Sequence, residues 1–305
     1  MTTPSSAAPA ATILVTGATG FIGRRLCPAL IEAGHDVRAM TRRPGEYAGP
    51  GTPVGADVHD ADTLPAALEG VEVAYYLVHS LDSLDFEEQD ARASEAFGTA
   101  AAAAGVRQIV YLGGLGRDGD RLSPHLRSRR EVERLLGEAG VPVTVLRAAI
   151  VVGAGGVSWE LTRQLVKNLP AMVVPRWVDT KTQPVAVDDV IRYLVGVADV
   201  PEAYGRIFEI GGPEQMTYLE MLEVASEVST GHRVPIIRVP VLTPRLSSYW
   251  LAFVTDVDVT TGRNLIDSMG TEVVVTDFSI RDLVPGDPLS YGEAVRRALD
   301  GDEDR

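Results

Sequence analysis

Short apolar runs and longer helical stripes alternate through the first half of the chain. Thr12–Thr16, Asp36–Thr41, Val54–Ala56, Val71–Val78, Arg107–Leu112 and Val143–Leu146 are predicted strands. Between them, residues 21–33 place Phe21, Ile22, Leu26, Leu30 and Ile31 at helical spacing and stop at Gly34. Residues 61–68, 86–104 and 127–139 supply further helices, the first and last ending near Gly70 and Gly140. Such alternation predicts an α/β fold with a doubly wound parallel sheet covered by helices. Beyond Arg147 the pattern loosens into helices over 159–169, 187–197 and 218–229, a strand over 207–210, and extended pieces over 235–244 and 273–275. No Gly/Ser or Pro linker separates the halves, so the later segments are expected to build a smaller cap on the first unit.

The 305 residues are 45% hydrophobic and 23% charged, the profile of a globular chain. A net charge of −14 argues against nucleic-acid binding, which needs a basic face to release counterions. Only Lys167 and Lys181 are lysines among the 28 basic residues, which restricts lysine-dependent chemistry. Cys27 is the single cysteine, so an internal disulfide and a cysteine-cluster metal site are both excluded; it is expected in the core. Residues 1–11 are expected to form a flexible tail rather than a signal peptide, and no run approaches ~20 apolar residues, so a cytoplasmic protein without a transmembrane segment is expected.

The strongest chemical signal is TGATGFIG at Thr16–Gly23, placed between a predicted strand and a predicted helix. Gly17 permits the tight turn, Gly20 lets backbone approach a pyrophosphate, and Gly23 lets helix pack closely on strand. The helix N-terminus adds free N–H groups and a positive dipole end. Gly17, Thr19, Gly20, Phe21, Ile22 and Gly23 are therefore expected to hold a dinucleotide, which makes residues 12–150 a Rossmann-type NAD(P)-binding domain. Residues 151–305 form the substrate and cap region interleaved with it. The second strand ends in Arg42 and Arg43 where an NAD site carries a carboxylate. Arginine there suits a 2′-phosphate and favours NADP(H) over NAD(H), the alternative being two solvated cations. Asp57 is placed either at the adenine edge or as a helix-capping carboxylate. Leu77, Val78 and His79 lie at the carboxyl end of the fourth strand, where cofactor contact competes with packing against the next helix.

With GAD at Gly55–Asp57, YYLVHS at Tyr75–Ser80 and YLGGLG at Tyr111–Gly116, the chain resembles the extended and atypical short-chain dehydrogenase/reductase superfamily. LRAAIVVGAGG, TQPVAVDDV and FEIGGPEQMTYLEML are similar to landmarks of its substrate half. YYLVHS, LSPHLRSR and LTPRLSSYW resemble a bacterial NAD(P)H-binding branch akin to NmrA-like proteins and to the NADPH-binding accessory subunit of complex I. The resemblance implies a tyrosine and a lysine four residues apart, with a serine or threonine on the preceding strand. The tyrosine moves the hydroxyl proton, while the lysine lowers its pKa and holds the nicotinamide ribose. No such pair exists here: Arg163 and Trp177 stand four residues before the two lysines.

His125 and Arg129 occupy the corresponding offset, and Gly113 and Gly114 stand in the serine's place. His125 is a candidate proton donor or a capping residue; Arg129 is a candidate ribose or phosphate ligand. Ordinary alcohol–ketone chemistry is thereby in doubt, whereas hydride transfer to an activated alkene, quinone or imine needs little proton help. Two functions follow: a reductase of a small apolar substrate, or a non-catalytic NADP(H) sensor or scaffold for a protein partner, as monomer or homodimer.

The resemblance makes Asp188 and Asp189 structural rather than a metal pair, and has Trp159 and Trp177 flank a region over the nicotinamide, which implies an apolar, aromatic-lined substrate cleft. Arg117, Arg121, Arg127, Arg129, Arg130 and Arg134 interleave with carboxylates and predict a salt-bridged face. Tyr249, Trp250 and Phe253 read as pocket wall, interface or core.

Overall fold

The computed structural model describes residues 10–80, 83, 85–116, 122–168, 172–174, 176–233, 235–238 and 268–303. Its centre is a seven-stranded sheet in the order β11-β6-β5-β4-β1-β2-β3. The strands are β1 (Thr12–Val15), β2 (Asp36–Thr41), β3 (Thr52–Gly55), β4 (Val73–Tyr76), β5 (Gln108–Gly114), β6 (Val143–Ala148) and β11 (Ile207–Ile210). Every pairing is parallel. The Rossmann-type doubly wound expectation is met, with the order reversing between β1 and β4. Both faces are covered, so the strands need apolar side chains throughout. One layer packs Leu26, Leu30, Tyr193 and Phe208 against Ile13 and Val15, and the other packs Leu64, Phe97 and Leu136 against Leu14 and Ala74.

Helices α1 (Gly23–Glu32), α2 (Leu64–Leu68), α3 (Phe86–Ala103) and α4 (Pro124–Glu138) connect the strands. α4 starts three residues earlier than the predicted residue 127 because Ser123 caps it, its hydroxyl accepting from the Leu126 N–H, and Pro124 occupies the first turn. α3 and α4 lie close enough that a Cβ on Gly98 would stand 2.7 Å from the Leu136 carbonyl oxygen.

The later chain returns to this sheet before completing the cap. α6 (Val187–Gly196) covers α1 and the sheet through Val190, Tyr193 and Leu194, and β11 extends the sheet beside β6. A separate apolar cluster joins β7 (Val151–Val152), β10 (Val185–Ala186), α5 (Val157–Asn168), α7 (Tyr218–Thr230) and α9 (Tyr291–Glu303). β8 (Met172–Val174) pairs in parallel with β13 (Ile236–Arg238), and β9 (Lys181–Thr182) pairs antiparallel with β12 (Met216–Thr217). The short α8 (Ile280–Leu283) lies against β11. The run Tyr249, Trp250 and Phe253 and the cations Arg117 and Arg121 fall outside the described residues. Arg134 pairs with Glu131 and Glu138, and Arg127 with Glu87, as the salt-bridged reading expects.

Cys27 is fully buried among apolar residues, and burial pushes its thiol up to about 11. Asp189 is buried, pairs with Arg192 at 2.9 Å and accepts the Leu289 N–H, a structural role. Among the described residues no group of three His, Cys, Asp or Glu could hold a metal ion, and no helix is long and apolar enough to cross a membrane.

Candidate functional site

A cleft of about 310 Å³ opens at the carboxyl edge of the sheet. Gly17, Gly20, Phe21, Ile22 and Gly23 line one end of it. Gly17 adopts φ +61°, the left-handed region that glycine tolerates best. A Cβ on Gly23 would stand 2.2 Å from the Gly17 carbonyl oxygen, so the turn closes only around a bare residue. The Gly20 N–H donates to the Gly17 oxygen at 2.9 Å, whereas the N–H groups of Phe21 and Ile22 find no acceptor among the described residues. Unpartnered donors at the start of α1 make a cradle suited to a pyrophosphate.

The cap is fastened to this turn. Arg24 and Arg25 both donate to the Ala154 carbonyl, at 2.9 and 2.7 Å, and Arg25 also donates to the Phe21 carbonyl at 2.8 Å. The Phe21 ring fills the space left by Gly153 and Gly156; a Cβ on Gly156 would lie 2.8 Å from it.

Gly113 and Gly114 form the floor at the end of β5. A Cβ on Gly114 would meet Leu126 Cδ2 at 2.7 Å, so the serine of the resembled signature fits there only if the Leu126 side chain shifts. Arg130 donates to the Gly114 carbonyl at 3.1 Å and to the Gly116 carbonyl, and Glu133 ties Arg130 to Arg147. This buried network holds the floor in place.

His79, from the loop after β4, and His125 and Arg129, from α4, bring the polar groups to the cleft. Among the described residues, Arg129 has no ion-pair partner and no carboxylate lines the cleft. Burial lowers the His125 pKa to about 3, with the Arg129 charge adding to the effect. Burial, then Arg129 and His125, likewise lower His79 to about 3, although its ring stays water-accessible through the cleft mouth. Both imidazoles are therefore neutral at pH 7 and offer an N–H donor instead of a positive charge.

Because the unfolded chain protonates its histidines near 6.5 and the shielded His125 resists protonation down to about 3, the unfolded state binds more protons between those values. Stability rises with pH across that window and is lost as pH falls through it. The expected result is a Tm that declines from pH 7 to pH 5, less steeply in His125→Gln. An unaltered slope in that variant would contradict the shifted imidazole.

Ala148–Val151, Ser158, Tyr218, Ser268, Met269 and Val273 complete the lining. Ala148–Val151 and Tyr218 lie in the segments LRAAIVVGAGG and FEIGGPEQMTYLEML, whereas nothing in the sequence singles out Ser158, Ser268 and Met269. Tyr218 opens α7 directly after a capping box in which Thr217 and Glu220 bond reciprocally, a T-x-x-E signal legible in the chain. Trp159 does not line the cleft. It is buried in the cap core, where its indole N–H donates to Asp302 at 2.9 Å.

Of the expected cofactor residues, Thr19, Arg42, Arg43, Asp57 and Val78 stand outside the cleft lining. They lie along the same edge: the Ala18 N–H donates to the Met40 carbonyl at 3.4 Å and the Ala56 N–H to the Thr41 carbonyl at 3.2 Å. Asp57 accepts from the His59 N–H at 3.0 Å, a turn contact that does not cap a helix.

A model of the NmrA-like family matches residues 9–245. The chain belongs to the NmrA-like family. This NmrA-like protein is 32% identical over 230 residues to a (4-alkanoyl-5-oxo-2,5-dihydrofuran-3-yl)methyl phosphate reductase of Streptomyces griseus subsp. griseus, covering 71% of this chain and 73% of that protein. It is 25% identical over 224 residues to subunit 9 of the mitochondrial NADH dehydrogenase [ubiquinone] 1 alpha subcomplex of Arabidopsis thaliana, and spans 56% of it. Among solved structures, an NADPH-dependent quinone oxidoreductase of Escherichia coli complexed with NADPH superposes with a TM-score of 0.76 at 21% identity, covering 94% of this chain and 99% of that one. A triphenylmethane reductase of Citrobacter sp. complexed with NADP(H) gives 0.77 at 18% identity, covering 94% and 100%. The NmrA-like protein thus has the fold of NAD(P)-binding reductases, and the resemblance drawn from its sequence motifs holds.

Proposed function

We propose that the NmrA-like protein is an NADP(H)-dependent reductase of a small apolar acceptor that works without a tyrosine–lysine pair. The observation that carries this reading is one continuous cleft joining the open N–H cradle of the glycine turn to a floor of bare glycines beneath His79, His125 and Arg129. Gly17–Gly23 would hold the pyrophosphate, Arg42 and Arg43 the 2′-phosphate, and Asp57 the adenine edge. Leu77, Val78 and Gly113 would back the nicotinamide end, with Arg129 available to its ribose.

A bound reduced nicotinamide supplies hydride. The chain's own groups do the rest: Leu115, Leu126, Met269 and Val273 exclude water, while His125 donates a hydrogen bond to an acceptor oxygen as negative charge develops. A cleft with one cation and no carboxylate suits an acceptor that ends with charge on oxygen, a conjugated carbonyl or a quinone. The names borne by the Streptomyces reductase and the Escherichia coli oxidoreductase are in keeping with this.

Purified protein titrated with NADPH and NADH, then tested for NADPH oxidation by quinones, enones and imines, decides the matter. Turnover that falls at least tenfold in His125→Ala is the expected result, since loss of one oxyanion donor costs roughly 10²–10³ in sites of this kind. Tight NADPH binding with no oxidation by any acceptor would instead support a non-catalytic sensor or scaffold. That second reading draws on the absent tyrosine–lysine pair.

A further inference from the structure

Asp90 sits on α3, outside the cleft, yet its carboxylate touches both segments that carry the cleft's polar groups. One oxygen accepts the Ser80 N–H at 2.8 Å, and Ser80 directly follows His79. The other accepts the Ser128 hydroxyl at 3.2 Å, and Ser128 lies on α4 between His125 and Arg129. Asp90 is only 4% exposed, Ser128 is 4% exposed and Ser80 is 6% exposed, so water competes little for these bonds. A buried carboxylate needs hydrogen-bond partners in place of water, and Asp90 has no ion-pair partner among the described residues.

Two further observations give the contact a direction. Asp90 meets Ser128, and Gly98 closes on Leu136, at the same offset of 38 residues, so α3 and α4 run side by side in constant register. The bare Gly98 fixes that register from below, since a Cβ there would clash with backbone. Eight residues up the helix, roughly 12 Å along its axis, Asp90 fixes it again at the level of the cleft. Ser80 also shares a 3.4 Å hydrogen bond with the His59 ring, and the His59 N–H donates to Asp57. The bonds thus run unbroken from the Asp57 turn through Ser80 and Asp90 to α4.

We infer that Asp90 is a positioning residue, its two carboxylate oxygens holding the His79 loop and the His125–Arg129 face of α4 in one frame with the Asp57 turn. The role rests on the reading of His79, His125 and Arg129 as the working face of the cleft. Catalysis tolerates little misplacement of such groups: about 1 Å costs up to 10²-fold in rate. Asparagine keeps both contacts, its oxygen accepting from Ser80 and its NH₂ donating to the Ser128 oxygen; alanine keeps neither.

The test uses the ¹⁵N imidazole resonances of His79 and His125 in the full-length protein, assigned with His79→Gln and His125→Gln. In Asp90→Ala both resonances move, in Ser128→Ala the His125 resonance moves more than that of His79, and in Asp90→Asn both stay near their wild-type positions. Where wild type oxidises NADPH with a quinone or enone, kcat falls about ten- to a hundredfold in Asp90→Ala and is recovered in Asp90→Asn, with NADPH affinity within about threefold of wild type throughout. Unmoved resonances in both Asp90→Ala and Ser128→Ala would overturn the inference. So would an Asp90→Asn that behaves as Asp90→Ala, because charge and not the shared frame would then be at work. If Asp90→Ala does not fold, Ser128→Ala carries the decision. Absence of turnover in wild type removes the reductase reading and leaves the resonances to decide on Asp90.

Discussion

Gly23→Ala is expected to abolish dinucleotide binding and to lower Tm by several degrees. Its new methyl carbon would stand 2.2 Å from the Gly17 oxygen, 2.7 Å from Ala18 Cα and 2.9 Å from the Ala18 carbonyl carbon. All three are backbone atoms, so no side-chain rotation relieves the clash, and α1 must back away from β1. Overpacking of this kind costs about 1–3 kcal/mol even where side chains yield, and more against backbone. Movement of α1 also strains the donors from Arg24 and Arg25 to Ala154, which fasten the cap.

Gly20→Ala separates the two effects. Its Cβ would approach only the Gly17 oxygen, at 3.1 Å, and Gly20 is exposed at the mouth of the turn. A small change in Tm with a large loss of NADPH affinity is expected there. Differential scanning fluorimetry and a fluorescence titration measure both quantities; wild-type Tm and affinity in Gly23→Ala would contradict the assignment of the turn.

The turn was legible because its chemistry is local: a strand, three spaced glycines and a helix occupy one stretch of chain. The inner strands were legible for a related reason, since burial on both faces demands the apolar runs of β1, β4 and β5. The edge strand β3 is exposed at three of its four residues, so its pattern is weak, and it begins two residues before the predicted position.

Partnership is another matter. The sequence of β11 announces a strand but nothing in it names β6 as its neighbour, some 60 residues away across cap elements. The cap wall of the cleft has the same character, because Ser158, Tyr218 and Met269 meet only through tertiary packing. Trp159, which the resemblance implies as part of an aromatic-lined cleft, fills the cap core instead.

Asp90 did leave a signal. Phe86, Asp90, Ala93 and Phe97 share the buried stripe of α3 at spacings of four, three and four. A polar side chain at a stripe position must find partners inside, and the two it finds lie on different elements.

Arg42→Ala is expected to weaken NADPH binding about ten- to a hundredfold while leaving NADH within about twofold. A hydrogen bond to a charged group is worth about 1.5–3 kcal/mol, and each 1.4 kcal/mol is tenfold in affinity. The two neighbouring arginines are not equivalent. Arg43 is held by Glu46 at 3.3 Å, with side chains 77% and 72% exposed, and would have to share or leave that carboxylate to meet a phosphate. Arg42 is exposed and has no partner among the described residues, so its guanidinium is available without such a cost. Arg43→Ala should therefore cost NADPH affinity less than Arg42→Ala, and Glu46→Gln should raise it slightly by freeing Arg43.

The chain's net charge of −14 makes the local cation matter more, because the surrounding field opposes a dianionic phosphate. Added salt screens both the exposed arginine and that field over a Debye length of about 8 Å at physiological ionic strength. The contact at a few ångströms outlasts the long-range repulsion, so the ratio of NADPH to NADH affinity should widen with salt in wild type, and rise from a lower starting value in Arg42→Ala. Equal losses for the two dinucleotides, or none, would remove the 2′-phosphate from the end of β2.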